Sequence, residues 1–583
     1  MASSPKSGSL LYAHDENPPF RESLFSGLQM VLLVAGPIIV TPLIVTRAIG
    51  LDMETTRWVV FATIIGSALA TFLQVRRVGP VGSGLLIFMG TSGSYIAVGL
   101  DAAMIGGMAL VGTLAILSAP VQWLFAYYFA AFRRIITPTV GGTVVLLVGL
   151  TVLPIATGIM QQGLAPEQEG AALGVAGLTI GVILFFAIIG RRLLRLFSPL
   201  LGLGSGLIAA AVFGLTDFSQ VGTVGWIGLP PMAWPGLSFS FSPEILALLV
   251  AFMIITLIGA VESVGDTMAT EECSSRNFRK VDYNRVRGGL YADGFGNAIA
   301  GALCTLPNTT YAISISTIRV TGMAARRVGY YGAAILGLFA FSPKFSAAVI
   351  ALPGPVLGAY LFVVIALLFV SGIKLCASEE LSFENGLIIG ISFAMGFVFD
   401  NEMIFPDLIP AAIAPFVNNG MAVGGVTAIG LSLMFNLRPR PRGRIVLSAH
   451  KPSIPELSTY LSEFAKRVNL SRQAAYDLQL CGEEVFLFLL NSPPEDTQEH
   501  FIDIRVEKEE FYLWLEIIDS KDPREIDDEA LGKSANWPEV EEAKLQELGL
   551  YLLHQTAEEI RHREIAGTHF ISFQIPLDRP QRK

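Results

Sequence analysis

The sequence predicts an all-α polytopic membrane domain followed by a smaller α/β domain, and three observations carry that prediction. Hydrophobic residues fill 52% of the 583 positions, charged residues only 15%, and mean hydropathy is +0.57. A soluble chain carries about 25% charged residues. From Leu24 to Leu437 the chain is a succession of apolar stretches, each close to the roughly 20 residues a helix needs to cross a bilayer. After Arg444 that character stops, and the remainder has the composition and size of a soluble domain. The expected organisation is a polar cytosolic tail over 1–23, a membrane domain over 24–437, a basic linker over 438–449 and a cytosolic α/β domain over 450–583.

Apolar spans are expected near 26–46, 58–75, 82–100, 103–130, 139–160, 173–190, 197–216, 245–268, 287–304, 308–322, 329–350, 354–375, 384–399 and 408–436, which is about fourteen crossings. Basic residues test this order. Arg76-Arg77, Arg133-Arg134, Arg191 to Arg195, Arg276 to Arg287, Arg326-Arg327, Lys374 and Arg438 to Arg444 all fall in alternate loops. The intervening segments 161–173 and 216–243 carry no Lys or Arg. The positive-inside rule then places both termini in the cytoplasm of a multi-pass inner or plasma membrane protein. Arg47 and Arg57, beside the first outer loop, are the exceptions. No cleavable signal segment is recognised in residues 1–19.

A faint repeat supports a transporter. Pro138-Thr-Val-Gly141 and Pro355-Val-Leu-Gly358 open two spans about seven crossings apart. An odd separation makes the halves inverted, which places a transporter's site near the midplane. In the tail, 454–468 and 472–490 have helical periodicity. The segments 501–506 and 511–518 alternate as paired strands, 540–561 reads as a charged amphipathic helix and 569–575 as a closing strand.

The four cysteines (Cys273, Cys304, Cys376 and Cys481) show no paired spacing, so neither a disulfide framework nor a metal site is expected. No basic stripe invites nucleic acid, and no catalytic constellation is present. All six histidines lie outside the spans, so a proton relay within the membrane must use carboxylates and water.

Ionisable residues inside a span are costly and therefore functional candidates. Glu262 and Asp266, in Val261-Glu-Ser-Val-Gly-Asp266, are one helical turn apart on one face. Like charges that close repel and burial disfavours ionisation, so the pair suits proton binding and release. Alternatively, Asp266 is solvated at the cytoplasmic end. Gly90-Thr-Ser-Gly93-Ser94-Tyr95 and Pro307-Asn-Thr-Thr310-Tyr311-Ala312-Ile313-Ser314 are too polar for lipid-facing helix. Each either lines a cavity or marks close helix packing.

Five segments of 24–436 resemble the nucleobase–cation symporter family, also called nucleobase–ascorbate transporters. Leu28-Gln29 resembles the family's Leu-Gln-His opening, with Met30 in place of His. Gly90 to Ile96 resembles its Gly-Ser-Ser-Phe-Ala-Phe-Ile stretch. Val261 to Asp266 resembles the span with its substrate-binding Glu. Tyr291-Ala-Asp293-Gly294 with Ala300-Gly301 matches its Asp-Gly and Ala-Gly positions. Leu306 to Tyr311 leads into its signature region, which ends at Thr321-Gly322. The resemblance implies seven plus seven inverted spans split into core and gate domains. It also implies a nucleobase ligand for Glu262, and a cradle from backbone near Gly93, Ser94 and Ala312 with Tyr311 closing one face. Where the family's signature has Gln/Glu-Asn, this chain has Ile313-Ser314. Ile313 cannot bond a base, and a buried polar group left unpaired costs about 1–3 kcal/mol. A standard nucleobase is therefore expected to bind poorly unless another group supplies the contact.

The tail resembles the anti-sigma-factor kinase branch of the histidine-kinase-like ATPase fold. Asp477 to Glu484 resembles the approach to its N-box, but the magnesium-ligating Asn is Phe488. Asp519 matches the adenine-binding Asp, with Lys521 in place of Gly, and Gly549 matches a later Gly-x-Gly-Leu. The resemblance implies a degenerate nucleotide pocket around Glu484, Phe488, Asp519 and Gly549, without catalysis.

The leading expectation is a proton-coupled symporter of a xanthine-, urate- or uracil-like base, with sodium as the alternative coupling ion and no cofactor. The alternatives are an anion transporter of the sulfate-permease type and a transport-deficient sensor that signals through its tail. The expected partners are a small nucleobase-like solute and the lipid bilayer. Homodimerisation and an anti-sigma-antagonist-like regulator of the tail stay open. The topology gives a direct test: Gln162→Cys and Thr223→Cys should react with an impermeant maleimide outside cells, while Arg134→Cys and Lys451→Cys should not. External labelling at 451 would contradict the even number of spans.

Overall fold

The computed structural model describes residues 10–128, 137–191, 193–216, 218–240, 242–276, 281–378, 381–405, 408–410, 413–436, 442–449, 451–490, 501–508, 512–519, 552–553, 555–565 and 568–577. The chain divides into two compact units, Met1–Phe278 with Asn284–Leu437, and Arg279–Tyr283 with Arg438–Lys583.

The first unit is helical. Its main elements are α1 (Phe20–Ala48), α2 (Met53–Arg76), a short strand β1 (Met89–Thr91), α3 (Ile96–Tyr127), α4 (Pro138–Gln161), α5 (Glu169–Ile189), α6 (Ser198–Val212), α7 (Pro243–Ser274), α8 (Tyr283–Ala302), a second short strand β2 (Asn308–Thr310), α9 (Ile313–Thr321), α10 (Arg326–Ala340), α11 (Pro343–Ile350), α12 (Gly354–Cys376), α13 (Phe383–Asp400) and α14 (Gly420–Asn436). Among the described residues, eight helices are long and apolar enough to cross a membrane, or nine if α10 and α11, bent by 78°, form one span. The other expected spans take different forms. The segment near 82–100 contains β1 and a helical turn over Gly93–Tyr95, and 308–322 is β2 followed by the nine-residue α9. Gly106 and Gly107 (φ +62°) break α3 where two separate spans are expected, because only glycine adopts that backbone readily.

The helices sort by packing into two sets. In one, α1, α2, α3, α7 and α10 pack on each other and around β1 and β2. In the other, α4 packs on α12, α13 and α14, and α5 packs on α6 and α12. Glycines permit the closest approaches. A Cβ on Gly301 of α8 would lie 2.6 Å from the Gly112 carbonyl oxygen of α3, so the two backbones nearly touch.

Among the described residues, the second unit is an antiparallel five-stranded sheet with two long helices. Its elements are β3 (Arg442–Ser448), α15 (Ile454–Arg467), α16 (Arg472–Leu490), β4 (Phe501–Lys508), β5 (Tyr512–Asp519), β6 (Glu558–Ile565) and β7 (Thr568–Pro576), with strand order β3-β4-β5-β7-β6. Three expectations need correction. Residues 442–448 of the expected linker are edge strand β3, in which Leu447 faces the core while Arg442 and Arg444 stay exposed and reach Glu507 and Asp503 on β4. The end of the expected helix 540–561 is strand, because Glu558–Ile565 pairs with β7; the start of that segment lies outside the described residues. The strand expected to close the sheet, β7, is internal, between β5 and β6.

On α16, Phe488 packs against the hydrophobic core formed with Leu478, Val485 and Leu515, at the position where the resemblance implies a magnesium ligand. Glu484 is half-buried, and burial with the adjacent Glu483 raises its pKa above the ordinary glutamate value. Asp519 is buried at the end of β5, and Gly549 lies outside the described residues. A phenyl ring in the core supplies no oxygen for a hard cation. Titration of residues 442–583 with ATP should therefore give the same weak or null response with and without magnesium. Magnesium-dependent binding at micromolar affinity would contradict this.

Candidate functional site

The site forms where two helical paths are interrupted. β1 and β2 run antiparallel with Met89 opposite Thr310, Gly90 opposite Thr309 and Thr91 opposite Asn308. The ladder extends beyond the strands: Ser92 N–H donates to the Pro307 carbonyl at 2.9 Å, and Tyr311 N–H donates to the Phe88 carbonyl at 3.0 Å. Side chains satisfy what the ladder leaves. Met89 N–H donates to Thr71 Oγ1 (3.0 Å), Phe88 N–H to Ser314 Oγ (3.0 Å) and Asn308 N–H to Asn297 Oδ1 (2.7 Å), while Thr91 Oγ1 donates to the Ile38 carbonyl (3.1 Å). Gly90 is required here. A Cβ would lie 2.5 Å from Ile38 Cγ1 and 2.7 Å from the Tyr311 ring.

α7 packs against β2, the 93–95 turn and α9, and carries Glu262 and Asp266 to this point. Asp266 is buried, and its Oδ2 accepts from Thr310 Oγ1 at 2.8 Å. The alternative in which Asp266 is solvated at a helix end is thereby excluded. A third carboxylate, Asp293 on α8, is also buried. Its Oδ2 accepts from Ser263 Oγ at 2.6 Å and from Gln122 Nε2 on α3. Gln122 Oε1 in turn accepts from Asn297 Nδ2 at 2.8 Å, and Asn297 holds the backbone of β2. One amide thus joins α3, α8 and β2, and through Asp293 and Ser263 also α7.

Glu262 differs from both aspartates. It is half-buried, interacts electrostatically with Asp266 and Asp293, and makes no hydrogen bond among the described residues. A carboxylate has two acceptor oxygens, and no described donor occupies those of Glu262. Ala312 is exposed and Ile313 half-buried at the start of α9.

The remaining expected site residues fall as follows. Gly93 and Ser94 form the helical turn after β1, with Ser92 Oγ accepting from Ser94 N–H at 3.3 Å. Gly93 also lines a small apolar pocket with Pro37, Thr41, Ile96, Tyr360 and Leu368, which does not contain Glu262. Tyr311 is tethered by its hydroxyl, which donates to the Thr91 carbonyl at 2.8 Å. Ser314, at the family's Asn position, is fully buried and its oxygen accepts from Phe88 N–H, so it braces the strand pair. Gln122 and Asn297 are parts of the site that carry no local sequence signal, while Ser263 and Thr310 lie in segments that stand out in the sequence although their partners do not.

The hydrogen bond from Thr310 to Asp266 can be tested by Thr310→Val, which keeps the shape. Losing a hydrogen bond to a charged, buried group costs about 1.5–3 kcal/mol. Thermal unfolding in detergent should shift down by several degrees, and an unchanged midpoint would show that this bond contributes nothing.

The chain is similar in sequence to known permeases. A family profile described as Permease family (Xan_ur_permease) matches residues 21–400, which stops short of the sheet domain. Xanthine permease XanQ of Escherichia coli (strain K12) is 30% identical over 446 residues, covering 73% of this chain and 93% of that protein. Xanthine permease XanP of the same organism is 29% identical over 443 residues, covering 73% and 94%. Among solved structures, the transmembrane domain of the cyanobacterium bicarbonate transporter BicA aligns with 72% of this chain and 99% of its own, at 14% identity and a TM-score of 0.46.

Proposed function

The chain belongs to the Xan_ur_permease family of permeases, and from that premise we propose that it carries a xanthine-like nucleobase across the cytoplasmic membrane in symport with protons. As a permease it is a multi-pass membrane transporter of a small molecule and not an enzyme. The substrate and the coupling ion are our reading, and so is a topology with both termini in the cytoplasm. The observation that carries this reading is the difference among the three carboxylates. Asp266 and Asp293 accept hydrogen bonds from Thr310, Ser263 and Gln122, whereas Glu262 has no protein donor among the described residues.

In this reading, Glu262 accepts two coplanar N–H groups from one edge of the base. Backbone groups around Gly93 and Ala312 border the rest, and Ile313 offers an apolar surface where a polar contact is absent. A base that needs an amide partner on that side binds weakly, because its polar edge is left unpaired. Proton uptake by Glu262 itself would turn one of those acceptors into a donor, so while the base is bound the coupling proton is read as held by Asp266, and the charge of Glu262 links the two loadings. No cofactor takes part. The sheet domain is read as a non-catalytic regulator of transport or a subunit contact.

The test is Glu262→Gln, which keeps the shape but removes charge and titration. One acceptor becomes a donor, and a charge-assisted hydrogen bond worth about 1.5–3 kcal/mol is lost, or roughly tenfold to a hundredfold in affinity. Proton-driven accumulation of the solute in vesicles should vanish, and exchange should lose its pH dependence. Accumulation at the parent level would leave Glu262 with a structural role only.

A further inference from the structure

The N-terminal segment Leu10–Pro19 is fastened across the ends of the helices that carry the candidate site. Leu11 N–H and Tyr12 N–H donate to the Gly322 carbonyl at the end of α9, at 2.8 and 3.1 Å. Ala324 N–H donates to the Tyr12 carbonyl, and Arg326 N–H to the His14 carbonyl, at the start of α10. His14 N–H donates to the Ser274 carbonyl at the end of α7 (3.1 Å). Arg276 clamps Glu16 at 2.8 and 2.9 Å and donates to the Leu10 and Leu11 carbonyls, while Arg327 donates to the Pro18 carbonyl.

His14 is the joint of this strap, and its partners dictate its protonation. Nδ1 lies 3.3 Å from the Ser274 carbonyl oxygen and Nε2 lies 3.0 Å from Arg285 Nη2 on α8. A carbonyl only accepts and a guanidinium only donates, so Nδ1 carries the hydrogen and Nε2 presents its lone pair. The ring is therefore neutral when the strap is closed. A second proton on Nε2 sets donor against donor and cation against cation.

We propose that His14 is a regulatory proton site, separate from the transport site, whose protonation releases the Leu10–Pro19 strap from the ends of α7, α9 and α10. The effect reaches the site through rigid elements. α9 has nine residues between the strap at Gly322 and the exposed Ala312, and Ser274 lies about 18 Å along α7 from Glu262 at 1.5 Å per residue. The charged groups that act on His14 are Asp15 on the strap, Arg285 on α8 and Arg326 on α10; beyond them, Glu271 at the end of α7 pairs with Arg285, and Glu16 on the strap pairs with Arg276. Burial, with the Arg285 charge beside it, holds the His14 pKa below the ordinary histidine value. The closed strap thus binds the proton less well than the released strap, and falling pH favours release. Glu16, held at a pKa of about 2 chiefly by its bond to Arg276, stays ionised throughout that window.

The experiment is hydrogen–deuterium exchange on the full-length protein in detergent at about pH 7.5 and about pH 5, which bracket ordinary histidine titration, with each rate corrected for intrinsic exchange. No substrate is needed, so the outcome is independent of what the permease carries. In the parent, the amides of Leu11, Tyr12 and His14 and the last turn of α9 should lose about tenfold in protection at the lower pH. His14→Gln supplies an acceptor for Arg285 but cannot take a proton, and should keep its protection at both values. Unchanged protection in the parent, or the same loss in His14→Gln, would overturn the proposal.

Discussion

The rest of the membrane unit depends on one constraint, the antiparallel pairing of two three-residue strands inside it. An interrupted helix leaves backbone N–H and C=O groups without intrahelical partners, and hydrocarbon offers none. Two interruptions placed side by side satisfy each other. Here Met89–Thr91 and Asn308–Thr310 pair, and Thr71, Asn297, Ser314 and Thr91 supply the side-chain bonds that the ladder lacks. The cost of breaking two helices is offset only in this arrangement, so strand position, Gly90 and the four bracing side chains stand or fall together.

The same pairing creates the electrostatic asymmetry of the site. Fixing β2 fixes Thr310 against Asp266, and the brace from Asn297 to β2 is itself held by Gln122, whose other end engages Asp293. Two carboxylates are thereby committed to the protein. The third, Glu262, one residue before Ser263, has no hydrogen-bond partner among the described residues. Desolvating a carboxylate without a partner is costly, and in the proposed reading the incoming solute relieves that cost. The small apolar pocket beside Gly93 and Tyr360 offers no such gain.

Much of this was legible in the sequence, for identifiable reasons. The apolar runs follow from bilayer thickness, and the polar, glycine-rich stretches at 90–95 and 307–314 stand out because lipid does not tolerate them. Glu262 is conspicuous as a charge in an apolar helix. In the tail, 472–490 coincides with α16 because an amphipathic helix has a clear period. What sequence could not show was partnership. Gln122 is an isolated amide, and its bond to Asp293 spans 171 residues. Ser314 stands at the family's Asn position, and nothing local shows that its oxygen accepts from a backbone N–H 226 residues away. β3 was hidden because its arginines read as a basic linker, although Ile445 and Leu447 alternate with them. Charge likewise disguised β6 as helix.

The most direct test of the account is a structure of the full-length permease with its transported solute bound. The account predicts solute density between the 93–95 turn and Ala312, with two ring nitrogens within hydrogen-bond distance of the Glu262 carboxylate. Asp266 should keep its bond to Thr310, and Asp293 its bonds to Ser263 and Gln122. Density in the pocket lined by Thr41, Tyr360 and Leu368, with Glu262 untouched, would contradict it.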